Sequence, residues 1–446
     1  MNPGNNNKKS NQKGLYRTMW ICIFMGILYA NFTSGFAKDV IGCLSTFLIL
    51  WKLLIFNKED GYLLLFGTQF LRAVIRVGFG GHSFSFLLFA FPTYLLKLLF
   101  EQKGRIHGTV LVAAFVMVWD FAVSFNSSII RIGDQLLWGV SFILLLVMLR
   151  NSAEIDLDKL IVVFGIAIWG ICLVNIFAEI CKFGKTMVPS MYGVWNQYGE
   201  YYMFGKGYPE IAGGNEIAQY IPIFIGMAFF SFNGKDRKVK LFYLVSSLFF
   251  SYCGMMCIAR AFYVEMAIVL LFALVYLSHN PKWLILISFL FTTMVIFSYD
   301  RLSGLFEPVL NAVGKRFGGG YGSRAGLIKG TIQVWKSSAS NFLFGIGTEY
   351  NEVYDTAHNI VFDALVSLGT LGASVYFGTL LIEGRKALQK KETQSIVRFA
   401  PLVMLLLYKM ISGCVKDVPF YFMIGICLLF AQKYELSKDK SGRVEV

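Results

Sequence analysis

The chain has 446 residues, 15% of them charged, a formal net charge of +14 and a mean hydropathy of +0.60. That much apolar content excludes an ordinary soluble domain and places the chain among integral membrane proteins. Its Lys and Arg are scattered through short segments between apolar runs instead of forming one stripe, which argues against a nucleic-acid partner.

Residues 1–14 are polar and basic, with Lys8, Lys9 and Lys13, and read as a disordered tail. The apolar run behind them is too long for the core of a cleaved signal and lacks a small-residue cleavage site, so it stays as the first span. Windows of roughly 20 residues place spans at 17–36, 38–56, 61–79, 83–100, 108–126, 133–150, 157–177, 216–232, 240–259, 261–278, 283–299, 359–383, 396–413 and 417–433. The expectation is an all-α, polytopic integral membrane protein with about fourteen transmembrane helices, twelve at the fewest, because a helix satisfies its own backbone groups in lipid. The tight pairs at 36/38 and 259/261 are the two that could merge.

Alternate loops differ in charge. One set holds the N-terminus, Lys52 and Lys58, Lys97 to Arg105, Arg150 and Lys159, Lys235 to Lys240, Lys282, Arg385 to Arg398, and Lys433 to Arg443. By the positive-inside rule that set, with both termini, is cytoplasmic. A helix bundle over 15–299 then carries an outer loop near 178–215. A large extracytoplasmic loop containing short helices covers 300–358, C-terminal helices cover 359–433, and 434–446 is a cytoplasmic tail. No internal repeat or matching pair of broken helices marks two inverted halves, which weakens a transporter reading.

Cys22, Cys43, Cys172, Cys253, Cys257 and Cys427 lie in or at the ends of apolar spans and read as small core residues. Cys253 and Cys257 are four apart with no His or acidic neighbour, so no metal site is expected. Asp156-Leu157-Asp158 resembles the paired aspartates of soluble glycosyltransferases, but it sits in a short loop with no nucleotide-binding domain and reads as solvated.

Other residues break the pattern. Arg72 and Arg76 fall in the outer half of the third expected span, four apart and so on one helix face. Arginine inside a span is costly and marks a partner, a cavity or headgroups reached by snorkelling. Arg260 stands at an outer turn, where basic residues are depleted; a planar guanidinium there suits a diphosphate, a plain turn residue being the alternative. In the long loop, Arg316 and Arg324 are candidate anion contacts. Leu327, Ile328, Thr331, Ile332 and Trp335 recur at helical spacing, so 324–336 reads as an amphipathic helix with Arg324 at its anion-favouring start. Gly318 to Gly320 and Gly322 read as a hinge, since no Gly-Lys-Ser/Thr follows them. Of four histidines, His107 and His279 fall on the cytoplasmic side, and His82 and His358 outside. His358 opens a span, with Asp355 before it and Asp363 after it, and can take a proton near neutral pH. An interfacial cap is the alternative, with His82 as substitute base.

Several pieces, in order, resemble the O-antigen ligase and O-antigen polymerase superfamily of bacterial cell envelopes. Gly213-Gly214-Asn215-Glu216-Ile217-Ala218 with Pro222 is similar to the family's asparagine-containing entry to a middle span. Ile258-Ala259-Arg260-Ala261 is similar to its Ser-Arg-Gly/Ala turn, with Ala259 in place of serine. Ser323-Arg324 with Trp335, Phe344-Gly345-Ile346-Gly347, His358-Asn359 and Gly369-Thr370-Leu371-Gly372 resemble its outer loop and the histidine-led helix. The motifs cover about 213–373 and the rest agrees only in hydropathy.

The resemblance implies glycosyl transfer at the outer leaflet of the bacterial cytoplasmic membrane from a polyprenyl-diphosphate-linked saccharide, joining repeat units into O-antigen, capsule or exopolysaccharide. The alternatives are ligase-type transfer of a finished glycan to a lipid or protein, and a non-catalytic transporter or flippase. It implies that Arg260 and Arg324 bind the leaving diphosphate, that His358 is base or positioning group for the acceptor hydroxyl, and that no metal or cofactor is required. Arg72, Arg76, Asn215, Arg316 and Asn359 are the substrate-binding candidates. Partners implied are lipid-linked donor and acceptor, the bilayer, and flippase and chain-length regulator proteins.

Overall fold

A computed structural model describes residues 3–31, 35–72, 74–79, 82–101, 108–126, 131–183, 214–233, 235–257, 259–277, 322–350, 353–354, 358–389 and 396–433. The expected span 283–299, most of the outer segment near 178–215, Arg316, Asp355, the glycines 318–320, His107, His279 and the tail 434–446 lie outside the described residues. The helices are α1 (Pro3–Asn31), α2 (Gly35–Ile55), α3 (Lys58–Thr68), α4 (Leu87–Glu101), α5 (Gly108–Asn126), α6 (Ile132–Arg150), α7 (Leu157–Phe183), α8 (Gly214–Phe230), α9 (Arg237–Met256) and α10 (Arg260–Leu277). They continue as α11 (Gly322–Trp335), α12 (Ala339–Phe344), α13 (Ile360–Leu388), α14 (Ala400–Ser412) and α15 (Val418–Lys433), with one antiparallel hairpin of β1 (Arg76–Phe79) and β2 (His82–Ser85).

The chain is a helical, multi-pass membrane protein. Among the described residues five helical segments are long and apolar enough to cross a bilayer: Gly108–Asn126, Ile132–Arg150, Leu157–Cys181, Arg237–Met256 and Ile360–Lys386. Three shorter apolar segments, Ile217–Phe230, Ala261–Tyr276 and Val418–Lys433, pack with them. Outward-facing side chains such as Leu248, Leu270, Leu274 and Leu381 are well exposed, as a lipid-facing surface requires. Inside, aromatic rings interlock: Phe70 meets Tyr220 edge-on at 4.8 Å between centroids, and Trp169 stacks on Phe249 at 4.2 Å.

Ion pairs define one end of the bundle. Lys159 Nζ reaches Glu59 Oε2 at 3.0 Å and Asp60 Oδ1 at 3.1 Å, and Lys235 Nζ reaches Asp158 Oδ1 at 2.5 Å. Arg150 reaches Glu383 at 3.2 Å, and Lys433 Nζ donates to the Ile155 carbonyl. These contacts join the start of α3, the α6–α7 and α8–α9 turns, and the far ends of α13 and α15. Loops that the charge pattern groups together are thus together in space. The opposite end holds the α5–α6 and α9–α10 turns, the start of α13 and the α14–α15 turn.

Four expectations are corrected. The third span, 61–79, does not form: α3 stops at Thr68, a tight turn covers Gln69–Leu71, and Arg76 begins a strand paired through Arg76↔Ser85 and Phe79↔His82. Arg72 and Arg76 therefore share no helix face. Averaged hydropathy misses the cause, two arginines and the glycines 78, 80 and 81 in a run whose β-branched Val74, Ile75 and Val77 favour a strand. The hairpin lies on α2, where a Cβ on Gly42 would fall 1.7 Å from the Arg76 carbonyl oxygen. The fourth span, 83–100, begins as strand and turns helical only at Leu87. The tail 1–14 is helical from Pro3, continuous with the apolar run that propagates it. Finally, residues 345–350 are not part of a surface loop but are buried in the bundle.

Candidate functional site

His358 is the only described non-glycine residue with left-handed backbone, at φ 49°. Such a conformation costs about 1–3 kcal/mol and persists where the surroundings impose it. Here they do so through the next residue. Asn359 caps α13, its Oδ1 accepting from the N–H of Val361 at 3.0 Å and of Phe362 at 3.3 Å, while its Nδ2 donates to the Met410 carbonyl at 2.8 Å. One turn on, the buried Asp363 accepts from the Tyr350 hydroxyl at 2.7 Å and from the Val415 N–H at 2.6 Å. Gly413 lets the α14–α15 turn close on this mount, since a Cβ there would lie 2.4 Å from the Lys409 carbonyl oxygen and 3.1 Å from Ile360 Cβ. The His358 side chain is left exposed at the end of the bundle.

Residues 345–350 form a wedge beneath it. Gly345 (φ 82°), Gly347 (φ 93°) and Gly369 (φ 68°) all adopt positive φ, and Gly369 breaks the helical geometry of α13. The break frees carbonyls that the wedge then occupies: Ile346 N–H donates to Val366 at 2.9 Å and Gly347 N–H to Ser367 at 2.8 Å. Gly345 and Gly369 cross back to back, each leaving only about 2.4 Å between a Cβ placed on it and the other's backbone nitrogen region. Below them, Asp120 of α5 accepts from the N–H and hydroxyl of Thr348, both at 2.8 Å, and from Trp138 and Gln135, both at 3.2 Å. The Phe344–Gly347 and Gly369–Gly372 motifs are therefore two halves of one joint, and Gly372 makes room for Trp119, whose Nε1 donates to the Leu368 carbonyl at 3.0 Å.

A second group of charges flanks the mount. Glu349 pairs with Lys416 at 2.9 Å, and Lys409 pairs with Asp417. Burial raises the Glu349 carboxyl above its ordinary value, with Lys416 pulling it back. Burial likewise pushes the Cys414 thiol well up, which keeps it protonated and unreactive.

The candidate residues divide as follows. Arg76 Nη2 donates to the Ser83 carbonyl at 2.8 Å across the hairpin, and Arg72 is half-buried at the end of the preceding turn. Arg260 is the first residue of α10, Asn215 the second of α8 and Arg324 the third of α11; the side chains of these three lie outside the described residues. Helix α11 lies where a helical segment was expected, with Thr331 buried and Lys329 exposed. It packs on α13 through Val334 and Trp335, which meet Ile346, Tyr350 and Val366. Asn359 caps α13 and holds the Met410 carbonyl, and Asp363 braces the α14–α15 turn.

Sequence reasoning passed over Asp120, Glu265 and Lys409, all buried. Each is a charge inside an apolar run, a signal as strong as that of Arg72. Among the described residues no group of three or more His, Cys, Asp and Glu side chains is placed to hold a metal ion. No family model matches the chain, and no curated protein matches it.

Proposed function

We propose that the protein is a membrane glycosyltransferase that polymerises polyprenyl-diphosphate-linked oligosaccharide units at the outer face of the bacterial cytoplasmic membrane, with both termini cytoplasmic. The observation that carries this reading is the strained, braced and solvent-facing backbone of His358. Left-handed non-glycine residues concentrate where a side chain must be aimed, and this one is an imidazole at the mouth of a membrane helix. The ordered resemblance and the arginine-bearing segments that start at the same end, α10 with Arg260 and the β hairpin with Arg76, support it.

In this reading an acceptor hydroxyl attacks the anomeric carbon of the donor. The new carbon–oxygen bond forms as the bond from that carbon to the diphosphate oxygen breaks, and the electron pair leaves with the polyprenyl diphosphate. His358 takes the hydroxyl proton and releases it to water. Arg260 and Arg324 stabilise the charge growing on the leaving group, which in a poorly hydrated site is worth more than in bulk water. Direct displacement inverts the anomeric centre.

The test is incubation of the purified protein with a lipid-linked repeat unit alone. A ladder of products supports a polymerase, whereas transfer only after a second acceptor is added supports a ligase. His358→Ala and Arg260→Ala are each expected to abolish elongation at unchanged protein abundance. Normal elongation by both variants would remove the enzyme reading.

A further inference from the structure

Helices α8, α10 and α14 meet on a buried surface where Glu265 and Gln219 have no hydrogen-bond partner among the described residues. Gly226 of α8 marks the junction, since a Cβ there would lie 3.2 Å from Met404 of α14 and 3.7 Å from Val269 of α10. Helices α8 and α10 run parallel: one step down, Phe230 meets Tyr276 at 5.9 Å between centroids. Counting up from the junction at 1.5 Å per residue puts Glu265 about 6 Å above it and Lys409 about 7.5 Å above it. Gln219 lies two turns, about 10.5 Å, above Gly226 on the same face of α8.

Glu265 is 2% exposed and Gln219 fully buried, and neither the two carboxylate oxygens nor the two amide atoms has a hydrogen-bond partner among the described residues. Pro222 lies inside α8 and has no N–H, so the carbonyl of the buried Ala218, next to Gln219, loses its helical donor. Lys409 does not repair this. Its ammonium is held by Asp417 and flanked by the Tyr408 and Phe420 rings at 5.2 and 5.8 Å, acting on Glu265 only through space. With Lys409 held by Asp417, an ionised Glu265 has no cation of its own among the described residues. Buried charge left uncompensated is strongly unfavourable.

We propose that this junction binds one monovalent cation of sodium's size, held by the Glu265 carboxylate, the Gln219 amide oxygen and the Ala218 carbonyl. The donors are hard oxygens from a carboxylate, an amide and a proline-freed backbone carbonyl, the set that carries alkali ions inside helical bundles. A single carboxylate with neutral oxygens matches one positive charge; a divalent ion calls for more acids. Bound there, the ion ties α8 to α10 beside Lys409, four residues from Gly413 and the turn that braces His358. The inference does not depend on the glycosyltransferase reading, and glycan elongation is not its readout.

The experiment uses the purified full chain in nanodiscs. Binding of radioactive sodium is measured directly, and thermal unfolding is followed in sodium, potassium and choline chloride at one ionic strength. Saturable binding near one ion per chain is expected, with a higher unfolding temperature in sodium than in choline. Glu265→Gln and Gln219→Leu should each raise the half-saturating sodium concentration about tenfold or more, as loss of a charged or well-placed ligand implies. Asp158→Asn, at the other end of the bundle, should leave it unchanged. Absence of saturable binding by the unaltered protein overturns the proposal, whatever the variants do. So does a midpoint in Gln219→Leu equal to that of the unaltered chain, or a stability that follows pH but not sodium, which would assign Glu265 a proton instead.

Discussion

The crossing of Gly345 and Gly369 gives the sharpest structural prediction. In Gly345→Ala a methyl group would sit 2.4 Å from both Gly369 N and the Ser367 carbonyl oxygen, at φ 82°. This positive-φ extended backbone, with ψ −169°, is essentially a glycine conformation and alone costs an alanine about 1–3 kcal/mol. The clash adds to it, because both atoms are backbone and belong to the joint itself, with no side chain to rotate away. Together the cost is about 3 kcal/mol, in the range of overpacked cores. At about 2.1 cal/mol/K of unfolding entropy per residue, a cooperative unit of 446 residues loses about 3 °C in apparent Tm, and a smaller unit loses more. Gly369→Ala should cost about as much, its methyl meeting the Leu343 carbonyl oxygen at 2.4 Å. The double variant should cost clearly less than the two singles added, since one displacement relieves both clashes. Gly378→Ala, also on α13 but with nothing within 4 Å, is the control and should be neutral or slightly stabilising. The assay is thermal unfolding in detergent. Gly345→Ala melting with the unaltered protein, or strict additivity in the double variant, would refute the back-to-back joint.

Asp120→Ala strands the buried donors of Thr348, Gln135 and Trp138, and should cost about 1–3 kcal/mol for each donor left dry, read as lower yield and an earlier melt; Asp120→Asn should cost visibly less because it keeps acceptor capacity. Glu349 titrates higher when folded than its ordinary value, so the folded chain holds that proton more tightly. Its contribution to stability therefore falls as pH rises from the ordinary glutamate pKa through the folded one. Lys416→Met removes the ammonium that lowers the folded value, and should carry this decline to higher pH. Glu349→Gln should flatten it, as melting curves across about pH 4 to 7 would report; identical pH profiles for all three proteins would count against the pairing. Arg324→Lys should lose most elongation if paired phosphate contacts matter, and full activity would leave Arg324 a structural residue.

Much of the bundle was legible because apolar runs of spanning length have few other fates. The runs at 108–126, 133–150 and 157–177 return as α5, α6 and α7 within a few residues at most points. The alternation of basic loops foretold which turns share an end, because the same lysines also find acids on neighbouring turns, as Lys159 does with Glu59. The run at 61–79 failed since a window average weighs Val74 and Ile75 as lipid-seeking and cannot register that they pair as a strand. The glycine motifs were visible, but their meaning was not: nothing local in Phe344-Gly345-Ile346-Gly347 says that it lies across a break at Gly369. The cap at Asn359 was hidden for a similar reason, since a cap and a substrate contact use the same amide.

The bracing of His358 has a kinetic corollary. Asn359 grips Met410, Asp363 grips Val415, and Gly413 fits against Ile360, so the imidazole's pedestal is completed when the polypeptide matures and not when a reactant arrives. In the proposed reaction, orienting His358 then draws nothing from the affinity for an incoming glycolipid. In that reaction a bulky residue at position 413 should accordingly slow turnover more than it weakens glycolipid binding.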